Sequence, residues 1–236
     1  MAEVDGTGAR IAHLGHSRLD LDRARRTGLP EAVYAAGKTP AQCVDIVRRL
    51  LDEGDDPIIV TRAAAEHLEA LAPLSPASVA GSSCTWRHRP LRTGPPVVVV
   101  SGGTSDAPVV DEALATLTAC GAPTAAHHDV GVAGLHRLLE VVPELQDAAA
   151  IIAVAGMEGA LPTVLGGLVA PPIITVPTSV GYGSSLEGVT ALLSSLASCS
   201  PGLTVVGIDN GYGAACAALR LLGRIDAAAA RDGGAG

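Results

Sequence analysis

Aromatic side chains are nearly missing: the 236 residues include no Phe, one Trp and three Tyr. A core must be assembled from Ala, Val, Leu and Ile, and the stacking platforms used to bind single-stranded nucleic acid are absent. Lys and Arg together number 16 against 24 Asp and Glu, a formal net charge of -8, which argues against a binder of phosphate backbones built on many basic contacts. No apolar run reaches the roughly 18 residues that span a bilayer. The N-terminus has no basic segment followed by an apolar stretch and a cleavage site. The expectation is a cytoplasmic protein with neither nucleic acid nor membrane as partner. The five cysteines, Cys43, Cys84, Cys120, Cys199 and Cys216, are scattered without a CxxC pair, so neither a disulfide framework nor a zinc site is suggested.

What the sequence has in quantity is glycine and proline, 28 and 16 residues, in a chain that is 48% hydrophobic and 17% charged. That much apolar content excludes a disordered chain. From Val97 onward, short β-branched runs alternate with Ala/Leu-rich segments of helical length, the signature of βαβ units on a parallel sheet. Strands are predicted at Val97–Val100, Ala149–Ala155, Ile173–Val176 and Leu203–Ile208, with a weaker one before His127. Helices are predicted over Val109–Cys120, Leu135–Val142, Gly159–Val169, Leu186–Ser198 and Gly213–Leu222. The earlier segment is less regular, with helices expected over Ala41–Leu51 and Ala63–Leu71 and a short strand at Ile58–Thr61 between them. Ala72–Pro96 reads as a linker carrying the basic run Arg87, Arg89 and Arg92. The domains are thus an N-terminal α/β region and linker (1–90), a βαβ-type domain (91–226) and a disordered Ala/Gly-rich tail (227–236).

In an open parallel sheet, ligands bind beyond the carboxyl ends of the strands, where loops and helix N-termini converge. Glycine-rich clusters follow each expected strand: Ser101-Gly-Gly-Thr-Ser-Asp106, the His127–Gly134 stretch, Gly156-Met-Glu-Gly-Ala-Leu-Pro162, Pro177–Ser184 and Asp209-Asn-Gly-Tyr-Gly213. Any one could be an ordinary turn with a capping residue. Five in register point to backbone approaching an anionic ligand, with hydroxyls and helix N–H groups to bind it. It is not a Walker loop, since no Gly-Lys-Ser/Thr follows. Glu158 reads either as a first-turn carboxylate complementing the helix dipole or as an acid–base group. His127, His128 and Asp129 are consecutive on an extended segment and point to opposite sides, which disfavours a shared metal ion. Cys199 differs from the other thiols by sitting in a turn, Ser198-Cys-Ser-Pro-Gly202, from which it can reach a ligand.

Read in order, these loops resemble the nickel-pincer cofactor biosynthesis family LarB, whose C-terminal part is similar to the PurE aminoimidazole ribonucleotide carboxylases and mutases. The resemblance rests on the Ser101–Asp106, Asp129–Arg137, Gly156–Pro162, Pro177–Gly183, Ser198-Cys199 and Ile208–Gly213 strings, and on Asp22–Glu31 and Gly37-Lys-Thr39 near the start. It implies a three-layer α/β sandwich with a central parallel sheet, PurE-like and flavodoxin-like, preceded by a small α/β N-terminal domain. The implied enzyme is a pyridinium-3,5-biscarboxylic acid mononucleotide synthase. It carboxylates nicotinic acid adenine dinucleotide at C5 with CO2 or bicarbonate and hydrolyses the phosphoanhydride to release AMP, the first step towards the cofactor of lactate racemase-type enzymes. Under this resemblance Cys199 is the nucleophile, with Cys216 in reserve, Glu158 the base, and Asp129 a further catalytic position. Ser101, Gly102, Gly103, Ser105, Asp106, Gly156, Met157, Thr178, Ser179, Gly181, Tyr182, Gly183, Asp209 and Asn210 contact substrate, with Arg26, Lys38 and the Arg87–Arg92 run neutralising its charge. No cofactor is tightly bound, Mg2+ is compatible with the anhydride step though no ligand cluster demands it, and a homo-oligomer of dimers forming an octamer follows by analogy. The competing readings are a purine-pathway carboxylase or mutase, against which Ala160 stands where that group carries a His before Leu-Pro, and a non-catalytic nucleotide-binding module.

Overall fold

A computed structural model describes residues 3–4 and 9–232, which divide into two compact units, Met1–Pro90 with Thr118–Gly121, and Leu91–Leu117 with Ala122–Gly236. The first unit carries a three-stranded antiparallel sheet of β1 (Glu3–Val4), β2 (Arg10–His13) and β3 (Arg18–Asp20), followed by the short α1 (Arg23–Thr27). A second sheet has the order β4-β5-β7-β6, from β4 (Ala32–Tyr34), β5 (Ile58–Thr61), β6 (Ser78–Ala80) and β7 (Ser83–Trp86), with α2 (Pro40–Glu53) and α3 (Ala65–Leu71) between its strands. Helix α2 starts where Pro40 supplies a preset φ and Thr39 and Gln42 bond each other's backbone N–H groups in a capping box. Its apolar stripe, Cys43, Ile46, Val47 and Leu50, is buried against Ile58, Val60, Cys84 and Trp86.

The segment expected to be a linker is therefore partly sheet. Ser83–Trp86 is buried at every position, and the Trp86 indole N–H donates to the Leu74 carbonyl at 2.9 Å. The basic run is absorbed locally: Arg87 donates to the carbonyls of Leu50, Leu51 and Gly54 at the end of α2, Arg89 pairs with Asp56 at 3.0 Å, and Arg92 pairs with Asp226. Arg26 pairs with Asp20 and the Lys38 ammonium donates to the Tyr34 carbonyl at 2.8 Å. Each of these cations is thus held by a carboxylate or a carbonyl of the fold.

The second unit is an α/β layer structure on a five-stranded parallel sheet of β8 (Val97–Ser101), β9 (Thr124–His127), β10 (Ala150–Ala155), β11 (Ile173–Pro177) and β12 (Thr204–Val205). Strands β8, β10 and β11 are buried throughout, which is why they read as uninterrupted apolar runs. The order β12-β11-β10-β8-β9 is the flavodoxin-like arrangement, whose strand order reverses between the first and third strands, here β8 and β10. The helices are α4 (Ala107–Ala119), α5 (Leu135–Leu145), α6 (Ala160–Gly166), α7 (Val189–Leu196) and α8 (Gly211–Asp232).

Several elements differ from expectation for local reasons. Strand β12 is shorter than predicted because the chain turns at Gly207, whose carbonyl accepts from Asn210 N–H. Helix α7 starts at Val189 because Leu186 and Glu187 hold left-handed backbone. Helix α6 is bounded by Gly159, at φ +67°, and Gly167; a Cβ at Gly159 would lie 3.0 Å from the Ala191 backbone, so glycine there permits α6 and α7 to touch. Helix α8 continues through Asp232, past the expected start of a disordered tail, as a run of strong helix-forming Ala allows; residues 233–236 of that tail lie outside the described residues.

Candidate active site

All five glycine-rich loops leave the carboxyl ends of the parallel strands. Four of them enclose a cleft of about 360 Å³ at the β8/β10 reversal, lined by Gly102–Asp106, Asp129, Gly131–Ala133, Ala155–Glu158, Ala160, Leu161 and Val180. The volume lies within the range of small-molecule sites. An adjoining hollow of about 540 Å³ is lined by Ser179, Gly181, Tyr182, Gly183, Ser185, Leu186 and Glu187. Glycine is required where the loops meet. A Cβ at Gly156 would lie 2.2 Å from the Val180 carbonyl oxygen, and one at Gly131 would lie 2.5 Å from that of Gly102.

The cleft wall is acidic. Asp106, 3% exposed, accepts from the Thr178 hydroxyl at 2.7 Å and from the Gly103 N–H at 3.0 Å. Burial pushes its carboxyl above the ordinary carboxylate range, opposed by those two hydrogen bonds and reinforced by the Asp209 charge. Asp129 sits on left-handed backbone at φ +56° and accepts from the Arg137 guanidinium. Glu158 is exposed at the cleft mouth, one residue before Gly159 caps α6. No Lys or Arg lines the cleft.

Of the residues singled out from sequence, Gly102, Gly103, Ser105, Asp106, Asp129, Gly156, Met157 and Glu158 come together in this cleft, and Ser179, Gly181, Tyr182 and Gly183 line the adjoining hollow. Four others line neither hollow. Ser101 is fully buried and its hydroxyl has no hydrogen-bond partner. Thr178 is fully buried on Asp106. Asp209 accepts from Ser179 N–H at 2.8 Å, tying two loops together. Asn210 accepts from Gly213 N–H at 2.7 Å, capping α8. The cleft also includes Gly131, Val132, Ala133 and Leu161, which lie within the loops marked from sequence but were not assigned individually. His127 turns away to Glu144, with Nε2 3.3 Å from Oε2. Among the described residues no group of three or more His, Cys, Asp or Glu side chains is arranged to hold a metal ion, so no residues are assigned to Mg2+.

Cys199 is exposed but is not on this edge. It lies between the end of α7 and the start of β12, where Thr204 pairs level with Ile174, near the amino end of β11. The neighbouring Ser200 hydroxyl donates to the Thr163 carbonyl at 2.7 Å, and a Cβ on Gly166, at the far end of α6, would meet Ser200. A strand of five residues spans about 16 Å, so within one chain the thiol and Glu158 lie towards opposite edges of the sheet.

A flavodoxin-like sheet with a glycine-walled cleft at its strand-order reversal is an arrangement that binds ligands beyond its strand ends, and the families the chain matches define the class: an α/β enzyme of carboxylase or mutase type, with nucleotide substrates and CO2 chemistry. The family model described as AIR carboxylase matches residues 96–232, and one described as LarB/PurE-like N-terminal domain matches residues 11–84. The chain belongs to the LarB family, with its PurE-like domain following the family's own N-terminal domain. It is 36% identical over 212 residues to uncharacterized protein MJ0165 of Methanocaldococcus jannaschii, covering 84% of this chain and 80% of the relative. Two proteins named N5-carboxyaminoimidazole ribonucleotide mutase match the second unit. One, from Methanocaldococcus jannaschii, is 36% identical over 53% of this chain and 78% of the relative. The other, from Pyrococcus horikoshii, is 34% identical over 55% of this chain and 73% of the relative. No described helix is long and apolar enough to cross a membrane.

Proposed function

We propose that the protein carboxylates the pyridinium ring of nicotinic acid adenine dinucleotide at C5 and hydrolyses its phosphoanhydride, giving pyridinium-3,5-biscarboxylic acid mononucleotide and AMP. The observation that carries this reading is the wall of the cleft: Asp106, Asp129 and Glu158 line a space whose lining includes no Lys or Arg, Arg137 standing behind Asp129, which suits a positively charged ring. A pyridinium is a poor carbon nucleophile. Addition of the Cys199 thiolate at C4 forms a C–S bond and moves a π pair onto the ring nitrogen, leaving a neutral enamine. Its C5 then attacks CO2, forming the C–C bond. Glu158 takes the C5 proton, and departure of the thiolate with the C–S electrons restores the aromatic pyridinium. The sequence is redox-neutral.

Because Glu158 and Cys199 stand towards opposite edges in one chain, this reading has a second copy supply the thiol, as the expected homo-oligomer allows. An apolar stripe of exposed Val189, Leu193 and Leu196 on α7 leads to Cys199 and is a surface such an assembly covers. The test is complementation. Cys199→Ala and Glu158→Gln proteins are each inactive alone, and co-refolded mixtures regain a fraction of activity because mixed assemblies hold intact sites. Mixtures as inactive as either parent contradict the shared site. The names of the two mutase relatives favour a second reading, conversion of a purine-pathway ribonucleotide. Turnover of carboxyaminoimidazole ribonucleotide with the dinucleotide left unchanged decides for it.

A further inference from the structure

The substrate proposed above is a dinucleotide whose diphosphate and carboxylate outweigh its one ring charge, yet the cleft wall is negative. The second unit contains no lysine and five arginines: Arg92, Arg137, Arg220, Arg224 and Arg231. Arg92 precedes β8, at the amino edge, and is paired with Asp226. Helix α8 begins at the carboxyl edge and runs away from it, so Arg220, nine residues in, is about 14 Å along the axis, with Arg224 and Arg231 further still. Arg137 does not line the cleft but is bonded to its wall. It is the third residue of α5, which starts at the carboxyl edge, and its guanidinium bonds Asp129 of the cleft wall.

Its seat is shaped by a glycine. A Cβ at Gly134 would lie 2.6 Å from Arg137 Nε, 2.9 Å from Nη2 and 3.1 Å from Cζ, so the guanidinium packs over the bare Cα of Gly134. The pair is half open to solvent, the side chains being 37% and 52% exposed. A guanidinium offers five N–H donors in a planar fork, and the one described hydrogen bond to Asp129 leaves room for a bidentate phosphate contact.

We infer that Arg137 is the phosphate-recognising residue of this unit, held beside the cleft on Asp129 and Gly134, and that it takes a phosphate group of the bound nucleotide. This rests on the reading that the cleft receives a phosphate-bearing nucleotide, and it stands whichever base or ring that nucleotide carries.

The test compares equilibrium binding of AMP with adenosine, and of nicotinic acid mononucleotide with its riboside, by calorimetry on the full chain. In wild type the phosphorylated member of at least one pair binds more tightly. Arg137→Gln weakens that member at least tenfold and leaves its dephosphorylated counterpart unchanged, while Arg137→Lys restores part of the loss. Asp129→Asn, which frees the guanidinium and removes a negative charge, holds or raises phosphate affinity. If Arg137 merely braced the Asp129 loop, Asp129→Asn and Arg137→Gln would weaken all ligands alike, which overturns the inference. So does phosphate affinity indifferent to Arg137, or the absence of any phosphate preference in wild type. Loss of the carboxylation reaction with these binding patterns intact refutes the proposed function alone.

Discussion

The Thr178→Val substitution tests the internal scaffold of the cleft. The side chain keeps its β-branched shape and loses only the hydroxyl that donates to Asp106 at 2.7 Å, at a residue with no exposed surface. Removing a buried hydrogen bond to a charged group costs about 2 kcal/mol. The pH dependence follows from the opposing influences on Asp106. Burial raises its folded carboxyl above the unfolded value and the Thr178 hydroxyl holds it down, so the variant's carboxyl is raised further. The full cost is therefore present where folded Asp106 is ionised. It shrinks as pH falls through the raised values, because the variant takes up its proton before wild type does. Urea unfolding followed from pH 8 downwards through the titration of the carboxyl, with equal m values, reads both quantities; Thr178→Ser, which keeps the hydroxyl, serves as control. A cost below about 0.5 kcal/mol at pH 8, or one that does not fall as the carboxyl is protonated, refutes the claim that Asp106 is a desolvated carboxylate held by this bond.

Two further outcomes are expected. Burial pushes the Cys84 thiol up to about 11; the neutral form is favoured in the fold, so its stabilising contribution is complete below the unfolded value and is lost as pH rises towards 11, by about 3 kcal/mol. Denaturation followed by Trp86 fluorescence shows that alkaline slope, and Cys84→Ala flattens it. Leu193→Glu, placed in the exposed stripe of α7, dissociates the assembly in light scattering and lowers activity with it, whereas a wild-type monomer with full activity excludes the shared site.

The parallel sheet was legible because its strands are buried on both faces: Val97–Val100, Ala150–Ala155 and Ile173–Val176 carry the pattern without interruption. Strands β6 and β7 were hidden because Ser78, Ser83 and Thr85 imitate a linker; their strand character comes from partners, Ser78 pairing with Thr85 and Cys84 with Val60. The cleft was legible as glycine loops after strands, and Gly156 and Gly131 prove to be close-approach positions rather than flexible ones. Spacing could not separate wall from support. Thr178, Asp209 and Asn210 look like ligand contacts in sequence, and in the structure they brace Asp106, Ser179 and Gly213. Nor could it reveal that Cys199 follows a helix running back to the amino edge, since that depends on the crossover between β11 and β12.

The central claim is the chemistry of the cleft, and mass spectrometry of a reaction with nicotinic acid adenine dinucleotide and carbon-13 bicarbonate tests it most directly. AMP together with a mononucleotide carrying one labelled carboxylate is the expected result. A folded protein that yields neither product contradicts the account.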